Sequence, residues 1–217
     1  FERVKNYQKP IAPIQIVIEE REKPKKHISR DKHKRTLALF DIHFGFRRDI
    51  KNGNLSPFHN RNALSVALQI ADEMKPDTIV FGGDFLDMSE WSDKFTLEPE
   101  FYFTTQSALI ECAWWMANFA DTCWYANVVV MNGNHEDRMK TLISKRVAAL
   151  APLRTVDNQN TFAASIDNLL GLSRRTGFKY IEDYPSGEYL VCDDTVIQHG
   201  SVIRSKPGHT AAAVVEQ

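Results

Sequence analysis

The sequence predicts an α/β fold, a parallel sheet followed by a second, more antiparallel one, and three observations carry that reading. First, three apolar runs at residues 36–40, 78–81 and 127–131 each stop abruptly at a polar string: DIHFG, GGDFLD and NGNHE. Second, the stretch between the first two runs has helical periodicity, and strand–helix–strand implies a parallel pair with a right-handed crossover. Third, the short runs at 178–181, 189–192 and 195–198 follow one another without a helix between them.

The elements are justified in chain order. Residues 14–18 (IQIVI) read as a strand after an irregular lead-in marked by Pro10 and Pro13. Residues 21–35, with Pro24, read as an exposed basic arm or linker, so residues 1–35 form an N-terminal extension and 36–217 the folded domain. After the strand at 36–40 comes a polar loop to residue 59, punctuated by Gly45, Gly53 and Pro57. Asn60 is a good N-cap for a helix over 61–74, where Ala63, Leu64, Ala67, Leu68 and Ala71 form one buried stripe. Beyond GGDFLD, residues 88–97 with Ser89, Trp91, Ser92 and Phe95 form a wall of the cleft. A long helix follows over 99–120. Its adjacent Trp114 and Trp115 point about 100° apart, so at most one faces the deepest core. A helix over 137–150 stops before Pro152, and 162–172 reads as helical, closed by Gly177. Ser186-Gly187 and Asp193-Asp194 are the turns between the last short strands, and Gly208 begins another helix.

Composition narrows the class. A chain of 217 residues with 43% hydrophobic and 25% charged residues suits one globular core. Net charge is −1, which by itself favours no partner, but the distribution is uneven. Eight of the 27 Lys and Arg lie in residues 21–35 against only Glu22 and Asp31, leaving an acidic body suited to gathering cations. Cys112, Cys123 and Cys192 match neither a disulfide framework nor a zinc-ligand pair, which fits a reducing cytoplasm. The most apolar helical stretch, 108–120, contains Glu111 and Asn118 and is too short to span a bilayer.

In open α/β sheets, ligands bind beyond the carboxyl ends of the strands. Three strands ending in carboxylate, imidazole and amide groups therefore imply one shared site, and a fourth run, 195–198, repeats the pattern at His199-Gly200. These are hard-metal ligands. Two divalent ions about 3.5–4 Å apart acidify a bound water and clamp the oxygens of a phosphate ester. The absence of thiolate argues against structural zinc, and carboxylate with imidazole suits manganese, iron or zinc better than calcium. Each motif alone has a plainer explanation: Asp-x-His as a capped turn, Gly-Asp as a tight turn. Arg47 and Arg48 read as a solvated surface pair, and Glu136 and Arg138 as decoration of a first helical turn. What distinguishes the pattern is its joint occurrence in order.

In that order the motifs resemble those of the calcineurin-like metallophosphoesterase superfamily, over residues 36 to 210, with the closest likeness to phage- and prophage-type members. The resemblance implies two packed β-sheets flanked by helices. It implies that Asp41 and His43 hold one metal, that Asp84 bridges, and that Asn134 and His199 hold the second. His135 becomes the catalytic imidazole beside the leaving group, and Asp87 the carboxylate that orients it. Two divalent ions are implied, manganese first, with iron, zinc, nickel or magnesium as alternatives.

The resulting expectation is a phosphodiesterase, with nucleic acid as its substrate and the basic arm as a salt-sensitive contact. The alternatives are a phosphomonoesterase or cyclic-nucleotide phosphodiesterase, and a metal-free interaction scaffold. The superfamily's closing G-H-x-H string is absent: Gly208-His209-Thr210 is followed by Ala211, so His209 reads as an exposed residue at a helix start. The sequence reading is accordingly of a fragment whose continuation supplies two more histidines.

Overall fold

The computed structural model describes residues 33–94, 96–156, 159–192, 195–201, 206 and 209–215. The strand expected at 14–18, residues 21–32 of the basic arm, Phe95, the Asp193-Asp194 turn and Gly208 lie outside the described residues.

Strands β1 (Thr36–Leu39), β4 (Thr78–Gly82), β5 (Asn127–Met131) and β6 (Phe178–Ile181) form one parallel sheet in the order β1-β4-β5-β6. β4 is buried along its whole length, as a central parallel strand requires. Its side chains alternate between two cores. Ile79 and Phe81, with Val128 and Val130 of β5, face a large cluster built with helices α1 (Arg61–Met74) and α2 (Thr105–Thr122). Val80, Val129 and Met131 face the other way, against Tyr189 and Ile197 of the antiparallel hairpin β7 (Glu188–Cys192) and β8 (Thr195–Gln198). Hairpin and parallel sheet are thus the two packed layers that the sequence predicts, with helices outside.

The second layer is smaller than predicted. Residues 178–181 join the parallel sheet beside β5 because helices α3 (Asn134–Arg146) and α4 (Ile166–Leu170) intervene and return the chain in the same direction. The loop after the first motif contains a further hairpin, β2 (Phe46–Arg48) with β3 (Leu55–Pro57).

Local signals fix the helix starts. The Asn60 side chain accepts the Ala63 N–H at 3.0 Å, as its N-cap reading predicts. The helix expected from residue 99 starts later: Pro99–Phe101 is a separate 3-10 turn, and the Glu90 carboxylate takes the N–H groups of Thr104 and Thr105 at 3.0 and 2.7 Å. A carboxylate at a helix N-terminus is favourable, so Glu90 sets where α2 begins. Of the tryptophan pair, Trp115 is 5% exposed and Trp114 49%. The third motif itself forms the first turn of α3, three residues before the predicted start, because Glu136 caps that end. A last helix, α5 (His209–Val215), begins at His209, which is exposed. Among the described residues, no helix is long and apolar enough to cross a membrane.

Candidate metal centre

The carboxyl ends of β1, β4 and β5 converge as the strand pattern demands. Backbone hydrogen bonds tie the first two loops together: Asp41 N–H to Gly83 O at 3.2 Å, His43 N–H to Asp84 O at 2.9 Å and Phe44 N–H to Phe85 O at 2.7 Å. Asp41, His43 and Asp84 all adopt left-handed backbone, with φ of 51°, 51° and 48°. Non-glycine residues adopt that region at a cost and cluster at functional sites.

Asp84 is the centre of the arrangement and only 4% exposed. One oxygen, Oδ1, takes the His135 N–H at 2.9 Å and lies 3.5 Å from His199 Nε2; the other, Oδ2, lies 3.7 Å from His135 Nε2. Burial works to raise its pKa, but hydrogen bonds from His199 and the His135 N–H, with the attraction of both imidazoles, bring it below the usual carboxylate value. Two donor groups share Asp84: His43 with His135, and Asp41 with His199, the ligand atoms in each group lying within 4.8 Å of one another. Asp41 and His43, which the sequence reading places on one metal, also adjoin, with Asp41 Oδ1 3.9 Å from His43 Nε2. Asn134 is the first residue of α3, next to His135 in the chain.

His199 donates Nδ1–H to the Gly82 carbonyl at 3.0 Å, which turns Nε2 towards Asp84. Its hydrogen bond with Asp84 raises its pKa above the ordinary value despite burial. Its ring occupies the space a side chain at Gly83 would need, 2.4 Å from an ideal Cβ, and Gly83 has φ of 97°. Glycine is required there on both counts.

His135 is held through main-chain and guanidinium contacts. Its Nδ1–H goes to the Asp87 main-chain carbonyl at 2.7 Å, whereas the Asp87 carboxylate is 3.8 Å away and accepts the Ser89 hydroxyl. Nε2 accepts from Arg138 Nη2 at 2.7 Å, and Arg138 Nη1 also reaches Asp87 O at 2.8 Å. A guanidinium only donates, so the ring is the neutral Nδ1–H tautomer. Burial lowers its pKa, Arg138 and His43 add to that, and Asp84 opposes it.

Sequence reasoning missed Arg138 and Glu136 as parts of the site. Glu136 is 1% exposed and accepts the N–H groups of Leu86, Gly133 and Asp84 at 2.7, 2.8 and 3.0 Å, stapling the second motif loop to the third. The available signals were helical: Glu136 stands at the capping-box position and Arg138 one turn after His135. Beside the centre, an open cleft of about 650 Å³ is lined by Asp41, His43, Asp87, Phe40, Phe58 and Asn60 among others.

The chain matches the model of the calcineurin-like phosphoesterase family over residues 35–210. No curated protein matches it. A matched span that takes in all four motif strings and most of the chain, together with the α/β sheet that carries them, establishes that the chain belongs to the calcineurin-like phosphoesterases, a family of metal-dependent phosphoester hydrolases.

Proposed function

We propose that the chain is a phosphodiesterase acting at two divalent ions held by Asp41, His43, Asp84, Asn134 and His199, with Asp84 shared between them. The observation that carries this reading is Asp84 itself, one buried carboxylate common to two separate donor groups. The donor set suits hard or borderline cations, manganese foremost. His43 Nδ1 supports the fit: it is buried and has no hydrogen-bond partner among the described residues, which is costly unless a cation uses its lone pair. Such a pair of ions, when bound, makes a strong nucleophile from water at neutral pH and neutralises phosphoryl oxygens.

His135 is the group for the leaving oxygen. Its Nε2 is covered by Arg138, a donor that an anionic phosphoryl oxygen attracts more strongly than a neutral imidazole does. Transfer of the guanidinium to the phosphoryl group frees Nε2 to carry a proton, while the Asp87 carbonyl keeps the ring in place.

Nucleic acid is the favoured substrate class. On the hairpin that follows His43, Arg47 lies over the Phe101 ring at 5.6 Å and Arg48 over Phe103 at 5.5 Å. Arg47 is the exposed surface arginine of the sequence reading, 4.0 Å from Glu98, whereas Arg48 has its Nε buried. Cations interleaved with aromatic faces beside a phosphoesterase centre suit an unpaired strand.

A turnover screen with manganese tests the reading, using single-stranded DNA, duplex DNA, RNA, an aryl phosphodiester and an aryl phosphomonoester. Faster cleavage of diesters, single strands foremost, is expected. Preference for the monoester sinks the diesterase assignment. Failure to bind manganese sinks the two-ion centre and favours a scaffold.

A further inference from the structure

A buried histidine outside the motifs is tied to the first metal-binding loop. The His59 side chain is fully buried, and its Nε2 lies 2.7 Å from Oε1 of Glu111 on α2. That carboxylate takes the Nε2 proton. Nδ1 faces both polar atoms of Gly45: the N–H points at it from 3.2 Å, and the carbonyl oxygen, which also accepts the Phe58 N–H at 3.2 Å, lies 3.1 Å away. Glu111 is fixed in turn by Arg61, whose Nε and Nη2 reach its two oxygens at 2.7 and 2.6 Å. Phe44 and Phe46 flank the His59 ring edge to face, at 4.9 and 5.5 Å, so it cannot tip. Burial works to raise Glu111, but hydrogen bonds from Arg61 and His59 carry its pKa down to about 2, so the anchor stays charged.

We infer that His59 is a positioning residue: anchored on Glu111, it holds the Gly45 peptide and so sets where His43 stands. The loop needs such a tether. Asp41 and His43 both carry left-handed backbone, and a strained segment persists only when its surroundings over-determine it. Peptide bonds to the 83–85 segment hold the loop's inner side at Asp41, His43 and Phe44. Beyond Phe44 the next N–H turns the other way, to His59. Gly45 also packs tightly on Asp87, whose Cβ stands 2.8 Å from an ideal Cβ at Gly45, so slippage of this loop moves His43 relative to Asp87.

The inference rests on His43 as a metal ligand, and paired variants keep the two claims apart. In His59→Asn the amide sits near the Nδ1 position and still bonds to the Gly45 peptide, its oxygen accepting the N–H or its NH2 donating to the carbonyl, but the side chain falls short of Glu111. In His59→Gln the amide reaches Glu111 and offers nothing to Gly45. Manganese affinity and stoichiometry by calorimetry, with thermal unfolding of the chelated proteins, read out the difference. The Gln variant should bind one of two ions about 10–100-fold more weakly, with the other within about twofold. The Asn variant should stay within about threefold of wild type at both. Equal manganese binding in the two variants, or a loss at both ions that follows the melting temperature, overturns the inference. His43→Ala binding manganese as wild type does overturns the ligand assignment instead.

Discussion

Two carboxylates support the loops of the candidate centre, Glu136 fully buried and Glu111 partly buried, and they are satisfied in opposite ways. Glu136 takes three main-chain N–H groups, and burial pushes its pKa up to about 7 against those bonds. Glu111 is only partly buried, and hydrogen bonds from Arg61 and His59 outweigh that smaller burial and bring it down to about 2. Peptide dipoles orient a carboxylate but do not replace a countercharge; a guanidinium bonded to both oxygens does. The Asp84 side of the cleft is therefore held by a group poised to titrate, and the His43 side by one that is not.

The comparison meets at Asp84, where the largest effect is expected. Its N–H goes to Glu136 and its oxygens face the imidazoles, so Asp84→Asn keeps the staple and removes the shared charge. Both ions should be lost and turnover should fall to background. His135→Ala should retain both ions and lower turnover by about 10²–10⁴-fold. Metal content measured beside rate separates the two roles, and equal metal loss would merge them.

Glu136→Ala comes next. It leaves three buried N–H groups without an acceptor, at about 1–3 kcal/mol each, so urea unfolding should show a loss of about 3 kcal/mol or more. A loss below about 1 kcal/mol would mean that water replaces the carboxylate.

The two acids should also bend the stability–pH curve in opposite directions. Glu111, depressed from 4.5 to about 2, contributes stability that is present above 4.5 and lost as pH falls towards 2. Glu136, raised from 4.5 to about 7, contributes stability that is present below 4.5 and lost as pH rises through 7. Urea unfolding of chelated protein across this range should find Glu111→Gln flattening the acid limb and Glu136→Gln flattening the neutral one. An unchanged acid limb in Glu111→Gln would refute the charged anchor. Smallest of all is Arg61→Met: the Arg61 side chain is 54% exposed, so about 0.5 kcal/mol or less is expected at pH 7. A larger loss would make Arg61 structural in its own right.

What the sequence made legible was which side chains meet at the strand ends. Asp41, His43, Asp84, His135 and His199 do come together, and their types after apolar runs are readable without knowledge of distant contacts. The α1 helix and its Asn60 cap were legible for the same reason, being local. The supports were not. Glu136 reaches Asp84 and Leu86, and Glu111 reaches His59, across roughly fifty residues of chain, and no periodicity encodes such a partner. The start of α2 was misplaced because its cap, Glu90, comes from a preceding turn. The Phe178–Ile181 strand belongs to the other layer because α3 and the five-residue α4 together bring the chain back parallel to β5.

The hairpin that delivers His199 has a consequence for how the protein keeps its ions. β7 and β8 reach the sheet through Tyr189 and Ile197 on three buried residues, while Leu190 and Val196 face outward. His199 follows β8 directly and is joined to the sheet by the Gly82 carbonyl. With His199 as the proposed ligand, ion retention and hairpin docking become one equilibrium seen from two sides, and a bound cation would latch the hairpin by about 2.7 kcal/mol at a hundredfold excess over its dissociation constant. Chelation should unlatch it, and amide exchange in β7 and β8 should quicken before the rest of the sheet responds.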